Sequence, residues 1–285
     1  MTTLDLCFYP DITQYKTAAE IRNAVIVFSD KLATEYGKLL NEQIKIHVLP
    51  VMDVKMQTEV MQDPAKKVAL GLMKPVSYVL ANRNNSNAIP VGVAWRIIAG
   101  VEADTYLGQL FAHKNSGIRK IKDIRKIHRI AYGDSFSTSN FLIPAMDLSQ
   151  NGVHPFTGFR SSKFFGGHDG TAKAVYFNEA DVGAGHDGAI ILLANEKGYE
   201  DANDVLVTIS KVDIYSDPVV ARKDLVPDIA KLTEALINIS KDPVVAKALQ
   251  DFWGNVTRIG APDSTKYKLI EDALKSLSLK DKDIL

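Results

Sequence analysis

The chain has 285 residues, 46% hydrophobic and 24% charged, which is the balance of an ordinary globular protein and excludes a disordered or fibrous one. Lys plus Arg and Asp plus Glu each number 34, so the formal charge is zero and the basic excess that nucleic-acid binding usually needs is absent. No apolar run reaches ~18 residues, which excludes a membrane-spanning helix, and the single cysteine, Cys7, excludes an internal disulfide, a thiolate zinc cluster and a C-x-x-C redox pair.

Strand and helix patterns alternate from the start, as in an α/β protein. Leu4–Tyr9 reads as a strand, with Cys7 a buried, inert thiol inside it. A long amphipathic helix over Ala18–Tyr36 is expected to stop at Gly37. Ile44–Val48 is a strand, Lys55–Gln62 a helix ended before Pro64, and Val68–Leu72 a strand. The next helix starts at Pro75, in the favoured first position, and carries Tyr78. After the polar loop 82–87 come strands over Val91–Ile98, Leu107–Ala112 and Arg129–Tyr132. The stretch Arg119-Lys120-Ile121-Lys122-Asp123-Ile124-Arg125-Lys126 has Ile and Asp at helical spacing and reads as a solvated helix face rather than a partner patch. Leu206–Tyr215 is extended, and helices are expected over Leu225–Ser240, Pro243–Trp253 and Ser264–Ser276. The pattern predicts two α/β lobes, one from 1–100 plus 210–285 and one from 101–209, joined by two crossing segments that act as a hinge.

The most informative run is Gly133-Asp134-Ser135-Phe136-Ser137-Thr138-Ser139-Asn140-Phe141-Leu142-Ile143-Pro144. It reads as a strand end, a polar turn and a helix that begins among three hydroxyl residues. A helix N-terminus leaves N–H groups unpaired and carries partial positive charge, so Ser137, Thr138 and Ser139 either cap the helix or help hold a tetrahedral oxyanion. With no Lys or Arg in the turn, neutral donors do this work, which suits reversible capture better than chemical conversion.

Further along come Gly166-Gly167-His168-Asp169-Gly170 and Ala180-Asp181-Val182-Gly183-Ala184-Gly185-His186-Asp187. Together with Pro75-Val76-Ser77-Tyr78, Tyr106 and Ile214-Tyr215-Ser216-Asp217-Pro218, these motifs resemble, in order and spacing, the phosphate/phosphite/phosphonate-binding proteins of bacterial ABC importers. The resemblance covers nearly the whole chain. It implies a two-lobed periplasmic-binding-protein fold of type II. It also implies a small-molecule oxyanion held between the lobes and, as a partner, an ABC permease or a sensor kinase. Through it His168 becomes a donor to the anion with Asp169 as its neighbour in the site, while Asp187 becomes a carboxylate that accepts a P–OH hydrogen from a protonated ligand. Outside that role each is a capping or surface polar group. His186 is not a family position. Tyr9, Tyr78, Tyr106 and Trp95 are the aromatics that line a cleft or else pack the lobes. The run Gly71-Leu72-Met73-Lys74-Pro75 departs from the family's A-Y-[FLW]-G-P: Lys74 replaces a glycine, and either is a solvated helix-start residue or adds a charge that favours a more anionic ligand.

The repeated His-Asp-Gly, at 168–170 and 186–188, lies in glycine turns without i,i+4 ligand spacing, so no metal site and no cofactor are expected. No G-x-S-x-G elbow and no G-x-x-x-x-G-K loop occurs. No catalytic residues are assigned. The alternative is an enzyme on the same lobed fold acting on a phosphorylated or carboxylated small molecule, with His168 and Asp187 as acid and base. The first strand leaves no room for a signal peptide after Met1. The expected location is therefore periplasmic or membrane-anchored extracellular if a leader precedes Met1, and cytoplasmic if Met1 is the native start.

Overall fold

A computed structural model describes residues 1–10, 16–98 and 100–277. The chain divides into two units: Met1–Thr105 with Tyr215–Tyr267, and Tyr106–Ile214 with the segment from Lys268 onward.

Unit 1 opens with β1 (Thr2–Phe8), α1 (Ala18–Leu40), β2 (Ile44–Val48), α2 (Val54–Gln62), β3 (Val68–Leu72), α3 (Pro75–Asn84), β4 (Ala88–Ile98) and β5 (Val101–Ala103). The chain then contributes β6 (Thr105–His113), β7 (Arg129–Tyr132), α4 (Ile143–Gln150), β8 (Ser161–Phe164), α5 (His168–Tyr176), β9 (Val182–His186), α6 (Ala189–Ala194), α7 (Ala202–Val205) and β10 (Leu206–Tyr215). It returns with β11 (Pro218–Arg222), α8 (Ile229–Ile239), α9 (Pro243–Trp253) and β12 (Val256–Gly260), and ends in α10 (Lys268–Ser276).

The sheet of unit 1 has the order β12-β4-β11-β3-β1-β2, with β5 paired to β4. β1 runs parallel to β2 and β3, whereas β11 and β12 pair antiparallel. Helix α1 begins in a capping box, Thr17 Oγ1 accepting the Glu20 N–H while the Glu20 carboxylate accepts the Thr17 N–H. It continues past Gly37, where the sequence suggested a stop, and ends at Asn41, whose φ of 55° is left-handed. Gly37 instead answers a packing demand: a Cβ there would stand 2.7 Å from the Glu42 carbonyl oxygen. The core joins α1, α8 and α9 to the sheet through Phe28, Leu32, Leu236, Leu249 and Phe252. Cys7 lies fully buried, and burial pushes its thiol up to about 12, so it stays a thiol at neutral pH.

Unit 2 carries a five-stranded sheet, β10-β6-β9-β7-β8. β7 runs parallel to both β8 and β9, and β6 runs antiparallel to β9. Helix α5 packs on this sheet through Ala172 and Val175, in a core with Phe111, Ala131 and Ile190. The division read from the sequence kept 210–285 together, but α10 groups with unit 2 because its buried Ile270, Ala273 and Leu274 pack toward α4 and the turn before it. Residues 119–126 form no helix; the only regular element there is a single 3-10 turn at Ile121–Asp123.

Candidate anion-binding site

The parallel trio β8-β7-β9 sends three turns off the same end of the unit 2 sheet, the carboxyl end, where open α/β sheets bind ligands. The first turn follows β7. Asp134 organises it, its carboxylate accepting the Phe136 N–H at 2.7 Å and its carbonyl the Ser137 N–H at 3.0 Å. Ser137 is the N-cap, its Oγ accepting the Asn140 N–H at 3.0 Å. That bond uses an oxygen lone pair and leaves the hydroxyl hydrogen as a donor. The sequence predicts an ordinary helix start here, but Thr138–Leu142 form a π-helical turn that leads into α4. A widened turn of this sort spreads the leading N–H groups and is common at functional sites. Ser137, Thr138 and Ser139 are only 6%, 2% and 4% exposed, so these hydroxyls are enclosed polar groups rather than solvated ones.

The second turn follows β8, and His168 begins α5. Its Nδ1 accepts the His186 backbone N–H at 3.1 Å, which puts the proton of the neutral ring on Nε2 and makes that atom a donor. The third turn follows β9. Here His186 Nδ1 accepts the Gly188 N–H at 2.9 Å, and the two imidazoles meet edge to face with centroids 4.2 Å apart. Asp187 donates its backbone N–H to the Leu107 carbonyl at 3.0 Å, which sets it opposite Leu107, the residue after Tyr106 on the neighbouring β6. Both side chains are half-buried.

Asp169 has a different local environment. Its carboxylate pairs with Lys173 one helical turn on, at 2.9 Å, and Lys173 also pairs with Glu196 at 2.8 Å. These hydrogen bonds, first to Glu196 and then to Asp169, raise the Lys173 ammonium well above its usual range. The carboxylate is thus engaged inside the α5–α6 surface.

Sequence reasoning passed over Asn140 and Thr171, which tie the first two turns together. Thr171 Oγ1 donates to the Gly167 carbonyl at 2.8 Å and lies 3.4 Å from Asn140 Oδ1. Asn140 is buried, and Gly133 provides its space: a Cβ on Gly133 would fall 2.1 Å from Asn140 Nδ2. The signal was present in the sequence as the glycine that ends β7, but its partner seven residues on was not.

In unit 1 the remaining candidates gather beyond the carboxyl ends of β1 and β3. Lys74 is the N-cap of α3, and its Nζ lies 5.3 Å from the centre of the buried Tyr9 ring, whose edge meets Phe252. Tyr78 is buried against Tyr267, with centroids 4.8 Å apart, and the Tyr267 hydroxyl donates to the Ser216 carbonyl at 2.9 Å. Ser77, unremarked in the sequence, is fully buried in the first turn of α3, and its Oγ makes no hydrogen bond. Trp95 stacks under the Arg258 guanidinium at 3.8 Å.

Among the described residues no group of three or more His, Cys, Asp or Glu side chains is placed to hold a metal. Likewise no helix there is long and apolar enough to cross a membrane.

Unit 2 thus gathers enclosed hydroxyls and an oriented imidazole at one sheet end, a set of donors whose chemistry suits a small oxyanion. The chain belongs to the family described as ABC transporter, phosphonate, periplasmic substrate-binding protein, which matches residues 12–267. It is 28% identical over 166 residues to the phosphate-import protein PhnD of Mycolicibacterium smegmatis; the match covers 56% of this chain and spans about half (51%) of that curated relative's length. The fold matches PhnD1 of Prochlorococcus marinus in complex with methylphosphonate, at a TM-score of 0.71 and 20% identity over 97% of this chain and 98% of that one. It also matches XAC2383 of Xanthomonas citri bound to chloride ion, at a TM-score of 0.74 and 17% identity over 98% of both chains.

Proposed function

We propose that this protein captures a phosphonate, phosphite or phosphate ion and delivers it to an ABC permease or a sensor kinase, without chemical conversion. The observation that carries this reading is the enclosed Ser137-Thr138-Ser139 turn beside His168. It offers hydroxyl, backbone and imidazole donors, with no lysine or arginine in the turn to trap the ion irreversibly. The relatives support the ligand class: one is described as importing phosphate and another was solved with methylphosphonate. In this reading Asp187, one residue past β9, is the carboxylate that accepts a P–OH hydrogen, which favours a singly protonated anion over a fully ionised one. Tyr106 on the adjacent strand belongs to the same ligand-binding set, and Asp169 acts in it by fixing the first turn of α5 through Lys173; Lys74, Tyr9 and Tyr78 are candidate ligand contacts within unit 1.

A thermal-shift panel of phosphate, phosphite, methylphosphonate, sulfate and small carboxylates tests the reading. A true ligand at 100 times its Kd stabilises by about 2.7 kcal/mol. A shift with phosphorus oxyanions and none with carboxylates is the expected result. No shift with any phosphorus oxyanion overturns the assignment.

A further inference from the structure

The basic stretch that reads as a helix face is instead a succession of turns. His113 caps a 3-10 turn over Lys114–Ser116, a second covers Ile121–Asp123, and a third closes at 125–128. In the third, the His128 N–H donates to the Arg125 carbonyl at 2.9 Å, and His128 Nδ1 accepts the Arg125 N–H at 2.9 Å. Isoleucines recur at every third position. Ile118, Ile121 and Ile124 are buried and anchor the turns, whereas the fourth, Ile127, is 74% exposed at the tip of the doubly bonded turn.

Between residues 114 and 129 the chain carries four lysines and three arginines against one aspartate, in a protein of zero formal charge. The guanidiniums are engaged within the fold. Arg119 donates to the carbonyls of Ile118 and Lys114 at 2.9 and 2.6 Å, Arg125 to those of Ile124 and Lys122 at 3.0 and 2.6 Å, and Arg129 pairs with Asp181 at 3.0 Å. Asp123 spends its carboxylate on the N–H groups of Arg119 and Lys120. Lys114, Lys120, Lys122 and Lys126 are all exposed, and none forms an ion pair among the described residues.

We propose that this face of unit 2 docks on an anionic lipid bilayer, with the four ammonium groups against headgroup phosphates and Ile127 inserted at the headgroup–acyl boundary. The chemistry favours lipid over an acidic protein segment. Rigid forked guanidiniums, the groups suited to fixed carboxylates, are engaged within the fold, on backbone carbonyls or on Asp181, while mobile point charges are exposed. A single exposed aliphatic side chain in a lysine-rich turn segment suits a fluid interface. Such docking would hold a solute receptor beside the membrane in which its permease lies. The inference is independent of which oxyanion is bound.

Co-sedimentation with vesicles of phosphatidylcholine, with and without phosphatidylglycerol, tests it. The intact protein should bind the anionic vesicles alone, and added salt should release it. Each lysine removed should weaken partitioning about fivefold, so Lys120→Ala, Lys122→Ala and Lys126→Ala together should cost roughly 100-fold. Ile127→Ser should weaken it about tenfold without changing the salt slope. These side chains are exposed, so the thermal midpoint should not move. Equal partitioning onto neutral vesicles, an undiminished triple variant, or capture by soluble polyglutamate without vesicle binding each overturns the proposal.

Discussion

Nδ1 of His168 accepts the backbone N–H of His186, so the end of β9 fixes both the orientation and the tautomer of the imidazole that opens α5. Asparagine at this position keeps an oxygen near the Nδ1 site but loses the Nε2 donor. His168→Asn should therefore unfold within a few degrees of the parent while oxyanion affinity falls on the order of 10-fold or more, the cost of a lost hydrogen bond to a charged group. Calorimetric affinity that survives the substitution would remove His168 from the site.

Ser137 and Thr138 separate capping from binding. Ser137→Ala with Thr138→Ala removes one cap, worth about 1 kcal/mol of stability, and two hydroxyls of the proposed site, each expected to contribute ~1.5–3 kcal/mol of affinity if it donates to the anion. Titration calorimetry and denaturant unfolding of the same double variant should thus show a loss of binding larger than the loss of stability. The opposite ranking would make the turn purely structural.

Gly133→Ala is expected to be costly although it adds one methyl group. The new Cβ would stand 2.1 Å from Asn140 Nδ2, and the buried amide has nowhere to retreat without disturbing Thr171. Overpacking of this kind costs roughly 1–3 kcal/mol. Pairing it with Asn140→Gly reopens the space, so the double variant should recover much of the lost denaturation midpoint. Additive effects would show that the two residues do not meet.

Acid should release the Arg129–Asp181 link. Burial alone would raise the Asp181 carboxyl, but its bonds to the Arg129 guanidinium and backbone N–H outweigh burial and hold it below the usual carboxylate range. A depressed folded-state value stabilises the protein at pH values above the unfolded one, near 4, and that stability fades as the pH falls through the folded value. Asp181→Asn should therefore lower the thermal midpoint at pH 7, and the gap should narrow below about pH 4. A pH-independent gap would assign the loss to packing.

Lys74 lies over the Tyr9 ring in unit 1, where the family pattern has glycine. Lys74→Gly should lower affinity for dianionic phosphorus compounds more than for methylphosphonate, with a difference that shrinks at high salt. A uniform change across the series would confine Lys74 to its packing on Tyr9.

Much of the fold was legible because it depends on local pattern. Continuous apolar runs marked β3 and β7 at their observed bounds, and the proline at the first helical position marked the starts of α3 and α9. The polar turns after β7, β8 and β9 were legible as well, since glycines and hydroxyls at strand ends have few other uses. Short strands without a run of their own, β8 and β12, were not, because their stability comes from the neighbours they pair with. Similarly, the period of the isoleucines in 118–127 suits a helix as well as a chain of turns, and three buried contacts decided for turns. The sequence by itself determined which residue types lie at the carboxyl ends of the strands, and hence the class of ligand they suit. Only the tertiary structure decided which of those residues have hydrogen-bonding capacity left. Hydrogen bonds are exclusive in lone pairs and protons, and Lys173, thirteen residues before β9 is complete in sequence, is the group that engages Asp169 while β9 itself orients His168.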